Sequence, residues 1–135
     1  MKFEQIKEDL DLFGEWEDRY GYIIDLGKQI SLSDEKKIDA NKVNGCASQV
    51  WLDMRWNDLN NLKVFNIEGD SDALIVKGLI AILLSLYQGK TLAQAQDVDP
   101  RVAFEKLGLN SHLSSQRSNG LKSMIDQIKI FVNTE

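Results

Sequence analysis

The stretch Val50-Trp51-Leu52-Asp53-Met54-Arg55-Trp56-Asn57-Asp58-Leu59-Asn60-Asn61-Leu62-Lys63-Val64-Phe65-Asn66-Ile67-Glu68 decides the fold. Val50, Leu52, Met54 and Trp56 alternate with Trp51, Asp53 and Arg55, the period-two pattern of a strand with one apolar face. Leu62 to Glu68 repeats that pattern, and the polar run Asn57 to Asn61 between them reads as a five-residue loop. The two strands therefore form an antiparallel hairpin, and Asn41 to Val43 offers a short third strand beside it.

Outward from the hairpin the period changes to that of a helix. Phe3, Ile6, Leu10 and Phe13 form one apolar stripe, and Trp16, Tyr20, Ile23, Ile24 and Gly27 form a second beyond Gly14. Ser31 to Asn41 is polar and reads as a loop. After the hairpin, Gly69-Asp70-Ser71-Asp72 ends the second strand, and Asp70 and Asp72 read as caps of a helix over residues 73–88. That helix is apolar almost all round (Leu74, Ile75, Leu79, Ile82, Leu83, Leu86), which places it centrally against the sheet. Thr91-Leu92-Ala93-Gln94 is a capping box, and Asp99-Pro100 is an N-cap followed by proline at the first helical position. A last helix over residues 118–132 carries Leu121, Met124, Ile125, Ile128 and Val132 on one stripe. Strands and helices are segregated along the chain, so the expected class is α+β: a small antiparallel sheet of two to three strands with helices on one face, in one domain over residues 1–135.

Composition narrows the function. The 135 residues hold 16 basic and 21 acidic side chains, for a net charge of −5. An acidic chain lacks the footprint of a nucleic-acid binder and is poorly suited to anionic membranes. The first nine residues have no apolar run of a signal peptide, and the longest apolar run, Gly78 to Leu84, is too short to span a bilayer. A cytoplasmic protein with no nucleic-acid or membrane partner is expected. One cysteine rules out an intrachain disulfide and any metal or cluster site built from several thiolates of this chain, so no metal site is expected.

That cysteine, Cys46, sits in Val43-Asn44-Gly45-Cys46-Ala47-Ser48-Gln49-Val50-Trp51, a turn just before the strand. Gly45 can take a positive φ and let a partner backbone approach. A lone cysteine is more often a small buried hydrophobe than a nucleophile, and no adjacent lysine or arginine lowers its pKa. Spacing leaves both readings open. His112, the single histidine, reads as a packing or capping residue unless the fold brings it to Cys46. Arg117 reads as a solvated arginine ahead of the last helix, and Trp51 as either core or contact surface.

Three blocks carry a family resemblance: Asn44-Gly45-Cys46-Ala47-Ser48-Gln49-Val50-Trp51; Glu68-Gly69-Asp70-Ser71-Asp72-Ala73-Leu74-Ile75-Val76-Lys77-Gly78-Leu79-Ile80-Ala81; and Leu107 through His112-Leu113-Ser114-Ser115-Gln116-Arg117-Ser118-Asn119-Gly120-Leu121. Together, in this order and spacing, they resemble the SufE family of sulfur acceptors, with the first 40 residues alike in pattern only. The resemblance implies a fold similar to that of the iron–sulfur scaffold proteins. It implies that Cys46 accepts sulfur from the persulfide of a pyridoxal-phosphate-dependent cysteine desulfurase, of the SufS or CsdA type, and passes it to an iron–sulfur scaffold complex. The chain would be a carrier and activator with no cofactor of its own, and homodimer formation is left open. Gly45, Ser48, Gln49, Trp51, Asp70 and Arg117 are the expected contacts with the desulfurase. The competing readings are a hydrolase with Cys46 as nucleophile, which needs a nearby base, and an iron–sulfur scaffold, which needs more thiolates than this chain has.

Overall fold

A computed structural model describes residues 2–134. The hairpin is longer and tighter than the polar run suggested. β1 spans Val50–Leu59 and β2 spans Leu62–Ser71, paired antiparallel from Val50 opposite Ser71 to Leu59 opposite Leu62. Asn60 and Asn61 alone make the turn, with φ of 52° and 67°. Two successive left-handed residues form the type I′ turn that matches strand twist, and asparagine tolerates that conformation better than most residues. The five-residue loop is thus a two-residue turn. Residues 57–63 are all exposed, so this end of the hairpin stands clear of the helices.

The possible third strand is only an isolated bridge between Lys42 and Trp51, leaving two strands among the described residues. The next segment also departs from expectation: Gly69, Asp70 and Ser71 continue β2 and do not end it.

The described residues form six α-helices beside the hairpin: α1 (Phe3–Asp11), α2 (Trp16–Gly27), α3 (Leu74–Tyr87), α4 (Leu92–Asp97), α5 (Pro100–Lys106) and α6 (Ser115–Asn133). The Thr91 capping box and the Asp99 cap with Pro100 behind it form as read. α6 begins at Ser115, three residues before the expected start at 118, because the Ser114 hydroxyl accepts from the Arg117 N–H and caps a wholly polar first turn.

α3 is central, with eight buried residues. It lies on the inner face of the hairpin, where Leu52, Phe65 and Ile67 are buried, and α2 crosses it on the other side. The crossing is backbone to backbone. A Cβ on Gly27 would lie 2.6 Å from the Gly78 nitrogen, and a Cβ on Gly78 would run into the Ile23 carbonyl. Phe131 of α6 stacks on Trp56 and Phe65 and closes the same face. Each fully buried aliphatic side chain here contributes about 1.5–3 kcal/mol.

Among the described residues no α-helix packs on the outer face of the hairpin. The segment after α2, with single 3₁₀ turns at Asp34–Lys36 and Asp39–Asn41, is pinned there by charge. Lys36 pairs with Asp53 and Glu68, and Lys37 pairs with Asp70, which also pairs with Lys77 of α3. Among the described residues no helix is long and apolar enough to cross a membrane.

Candidate functional site

The cysteine loop is closed at its base by a strand-like bond, the Val43 N–H donating to the Val50 carbonyl at 2.9 Å. Residues 44–49 bulge from that base. Gly45 takes φ +89°, which turns the chain so that Cys46 points back toward α6.

One flank of the loop rests on the end of β2. The Ser71 hydroxyl donates to the Ser48 hydroxyl at 3.5 Å, the Gln49 N–H donates to the Asp72 carboxylate at 3.0 Å, and the Asp72 N–H returns a bond to the Gln49 carbonyl at 3.3 Å. Asp72 therefore braces the loop and does not cap α3. The Ala73 N–H at the start of that helix is met by the Ser71 hydroxyl at 3.2 Å. Asp70 is not a cap either. It is 7% exposed, gripped by Lys37 at 3.2 Å and Lys77 at 3.3 Å. Burial pushes its carboxyl pKa up, but the Ser71 N–H and the two ammonium groups outweigh burial and hold it below the ordinary value. Asp70 is scaffold behind the loop.

The other flank rests on α6. The Cys46 thiol donates a long bond, 3.6 Å, to the Gly120 carbonyl, and the backbone at Gly45 approaches Ser123 closely. Cys46 is half-buried. Beside it lies a cavity of about 150 Å3 walled by Ala73, Val76, Leu79, Leu121 and Met124, with the exposed Gln116 and Arg117 at its mouth. Burial pushes the thiol pKa up. The cavity lining contains no histidine and no carboxylate, so nothing there takes the thiol proton. His112 is instead stacked on Trp16, with ring centroids 4.3 Å apart. A larger groove of about 1020 Å3 runs between α1, β2, α3 and α5, but it shares no residue with the thiol's cavity, so size does not locate the chemistry.

The structure thus brings Cys46, Ser48 and Arg117 into the lining of one cavity, while Gly45 and Gln49 belong to the same loop but do not line it. Trp51 and its cross-strand partner Asp70 are set apart on the outer face, Trp51 half-buried with the Lys37 ammonium 5.6 Å over its ring and Asp70 buried. Arg117 belongs to the first turn of α6, not to a loop before it. Sequence reading missed Gly120 and the bracing roles of Ser71 and Asp72. The signal was present for the last two, but a serine and an aspartate ahead of a helix are read first as caps. Among the described residues no group of three or more histidine, cysteine, aspartate or glutamate side chains is placed to hold a metal.

Residues 4–132 match the model of the SufE family, described as an Fe–S metabolism associated domain. The chain belongs to the SufE family. An uncharacterized SufE-like protein of Rhizobium etli is 47% identical over 127 residues, covering 93% of this chain and 86% of its own. Another from Rhizobium meliloti is 46% identical over 127 residues, covering 93% of this chain and 91% of its own. The solution structure of a hypothetical protein from Thermus thermophilus superimposes with a TM-score of 0.74 at 15% identity, over 98% of this chain and 93% of that one, a likeness of fold. SufE membership places the chain in iron–sulfur metabolism, with a sulfur-transfer role there. The α+β class, two strands with the helices on the inner face, agrees with the sequence reading.

Proposed function

We propose that this SufE-family chain is a stoichiometric sulfur carrier and activator for a pyridoxal-phosphate-dependent cysteine desulfurase, with Cys46 as the carrying thiol. The observation that supports it most is the setting of Cys46: one sulfur, half-buried beside an apolar cavity, in a loop held by a handful of polar bonds. A core cysteine would be packed on all sides. A hydrolytic cysteine would have its base in reach, and the cavity lining supplies none.

The chemistry is sulfur exchange. The Cys46 thiolate attacks the outer sulfur of the donor's persulfide; the new S–S bond forms as the donor's S–S bond breaks, and the donor cysteine leaves as thiolate. No electrons are gained or lost overall, so the chain needs no redox cofactor. The proton on Cys46 has to leave first, and with no base in its cavity the acceptor of that proton is the donor's site or water. Between transfers the outer sulfur fits the cavity beside Cys46, where its apolar walls keep out water and thiols. The sulfur then passes to an iron–sulfur scaffold complex.

Intact mass after incubation with a desulfurase and L-cysteine tests this reading. The wild type is expected to gain one sulfur atom on Cys46, and Cys46→Ser to fold normally and gain none. A serine variant that stimulates sulfide release as well as the wild type would contradict the carrier role.

A further inference from the structure

Four side chains form a continuous ladder leading away from the mouth of the Cys46 cavity. Arg117 lines the mouth, and its guanidinium carbon sits 6.0 Å over the ring of Tyr20. Tyr20 meets Trp16 edge-on at 6.1 Å, and Trp16 stacks on His112 at 4.3 Å with the rings 11° from parallel. The members come from α2, the connection between α5 and α6, and α6 itself. Arg117 and His112 are exposed, and Trp16 and Tyr20 are half-buried.

We infer that Tyr20, Trp16 and His112 form a docking face for the sulfur-donating desulfurase, an inference that rests on the carrier reading above. A donor sulfur must come within bonding distance of Cys46, so the donor's surface has to cover the cavity mouth and Arg117 with it. A specific interface of ordinary size takes about 800 Å2 from each partner. A patch of that area centred on the mouth extends along the ladder. Its composition suits the place: tryptophan, tyrosine and arginine are the residues that most often carry interface energy. The exposed His112 imidazole, stacked on the Trp16 indole that itself packs against the core, presents a flat, preorganised edge to a partner. Glu15, Glu17 and Asp18, exposed at the start of α2, make the rim acidic, so the donor surface that fits is basic at its edge.

The test uses the full chain, each cysteine desulfurase encoded in its source genome, and L-cysteine. His112→Ala is expected to raise the carrier concentration needed for half-maximal stimulation about tenfold, while leaving the maximal rate and the alkylation rate of Cys46 unchanged. Leu59→Ala, at the far end of the hairpin and about 30 Å from the loop along β1, is expected to change none of the three. A photo-activated benzophenone side chain at position 112 is expected to cross-link to the desulfurase, and one at position 59 is not. Half-saturation within twofold of wild type for His112→Ala, or no cross-link from position 112, overturns the docking face while the carrier reading stands. A wild type that takes sulfur from none of the desulfurases overturns the carrier reading itself, and the docking face with it.

Discussion

Two pairs of glycines do opposite work in this molecule. At the α2–α3 crossing, Gly27 and Gly78 face backbone, and a Cβ on either would fall within 3 Å of main-chain atoms. Around the cysteine loop, Gly45 and Gly120 face side chains first: a Cβ on Gly45 meets the Ser123 hydroxyl, and one on Gly120 has the Cys46 Sγ, Cβ and Cα as its nearest neighbours, at 3.5–3.9 Å. The first pair lets two helices lock into a frame. The second lets a loop lie on a helix through one long thiol bond and one adaptable hydroxyl. The difference separates what fixes the fold from what can give way, because packed backbone resists displacement and a few hydrogen bonds at the surface do not.

The largest effect expected is at the crossing. Gly78→Ala gains about 1 kcal/mol of helix propensity, but its methyl overlaps the Ile23 carbonyl and forces α2 off α3. Overpacking against main chain costs about 3 kcal/mol or more. The net is a fall in Tm of roughly 10 °C, read by thermal unfolding. A Gly78→Ala protein that melts with the wild type would show that the crossing is looser than backbone contact implies.

Loosening the loop is expected to be gentler. Asp72→Ala removes the acceptor of the Gln49 N–H, an exposed bond of about 0.5–1 kcal/mol. Tm falls by only a few degrees, while opening of the loop, and with it alkylation of Cys46 by iodoacetamide, rises about two- to fivefold. Unchanged alkylation would place the restraint on α6 and not on the end of β2.

The thiol's protonation reports the same restraint. Burial raises the Cys46 pKa, so the neutral form is favoured in the folded chain. The alkylation rate plotted against pH is expected to have its midpoint above the ordinary thiol value of 9.0 when folded, and to drop to that value in denaturant. By linkage, the stability this neutral thiol contributes is complete below the unfolded pKa and is lost as pH rises toward the folded one. A folded midpoint below that of the denatured chain would mean a cation reaches the sulfur, with Arg117 the first candidate.

The frame was largely legible in the sequence and the loop's restraints were not, for physical reasons. Alternation from Val50 to Trp56 marked β1 because one of its faces is covered by α3 and α6. It faded at Asn57 and Asp58 because both faces are wet there, so a continuing strand looked like a loop. The apolar run of α3 announced a central helix. The lysines that grip Asp70, the carbonyl that meets the thiol and the stacking of His112 on Trp16 join distant parts of the chain, and no local pattern encodes them. Cys46 was singled out from its glycine turn and the family resemblance, while Ser71 and Asp72 were hidden because a serine and an aspartate just ahead of a helix read first as caps.

The smallest effect expected is the one that sharpens the contrast most. Gly120→Ala places a methyl 3.5 Å from the Cys46 sulfur and 3.8 Å from its Cβ, ordinary contacts with no main chain displaced. Gly120 lies inside α6, as Gly78 lies inside α3, so the propensity gain of about 1 kcal/mol is the same. Here nothing opposes it, and Tm should stay level or rise by a few degrees. One substitution, made in two buried helical glycines, is then expected to differ in sign, because one glycine faces a neighbouring backbone and the other faces a side chain that has somewhere to go. A Gly120→Ala protein that melts as far below wild type as Gly78→Ala would mean the loop is part of the frame, and a thiol held that firmly has no means of reaching a donor.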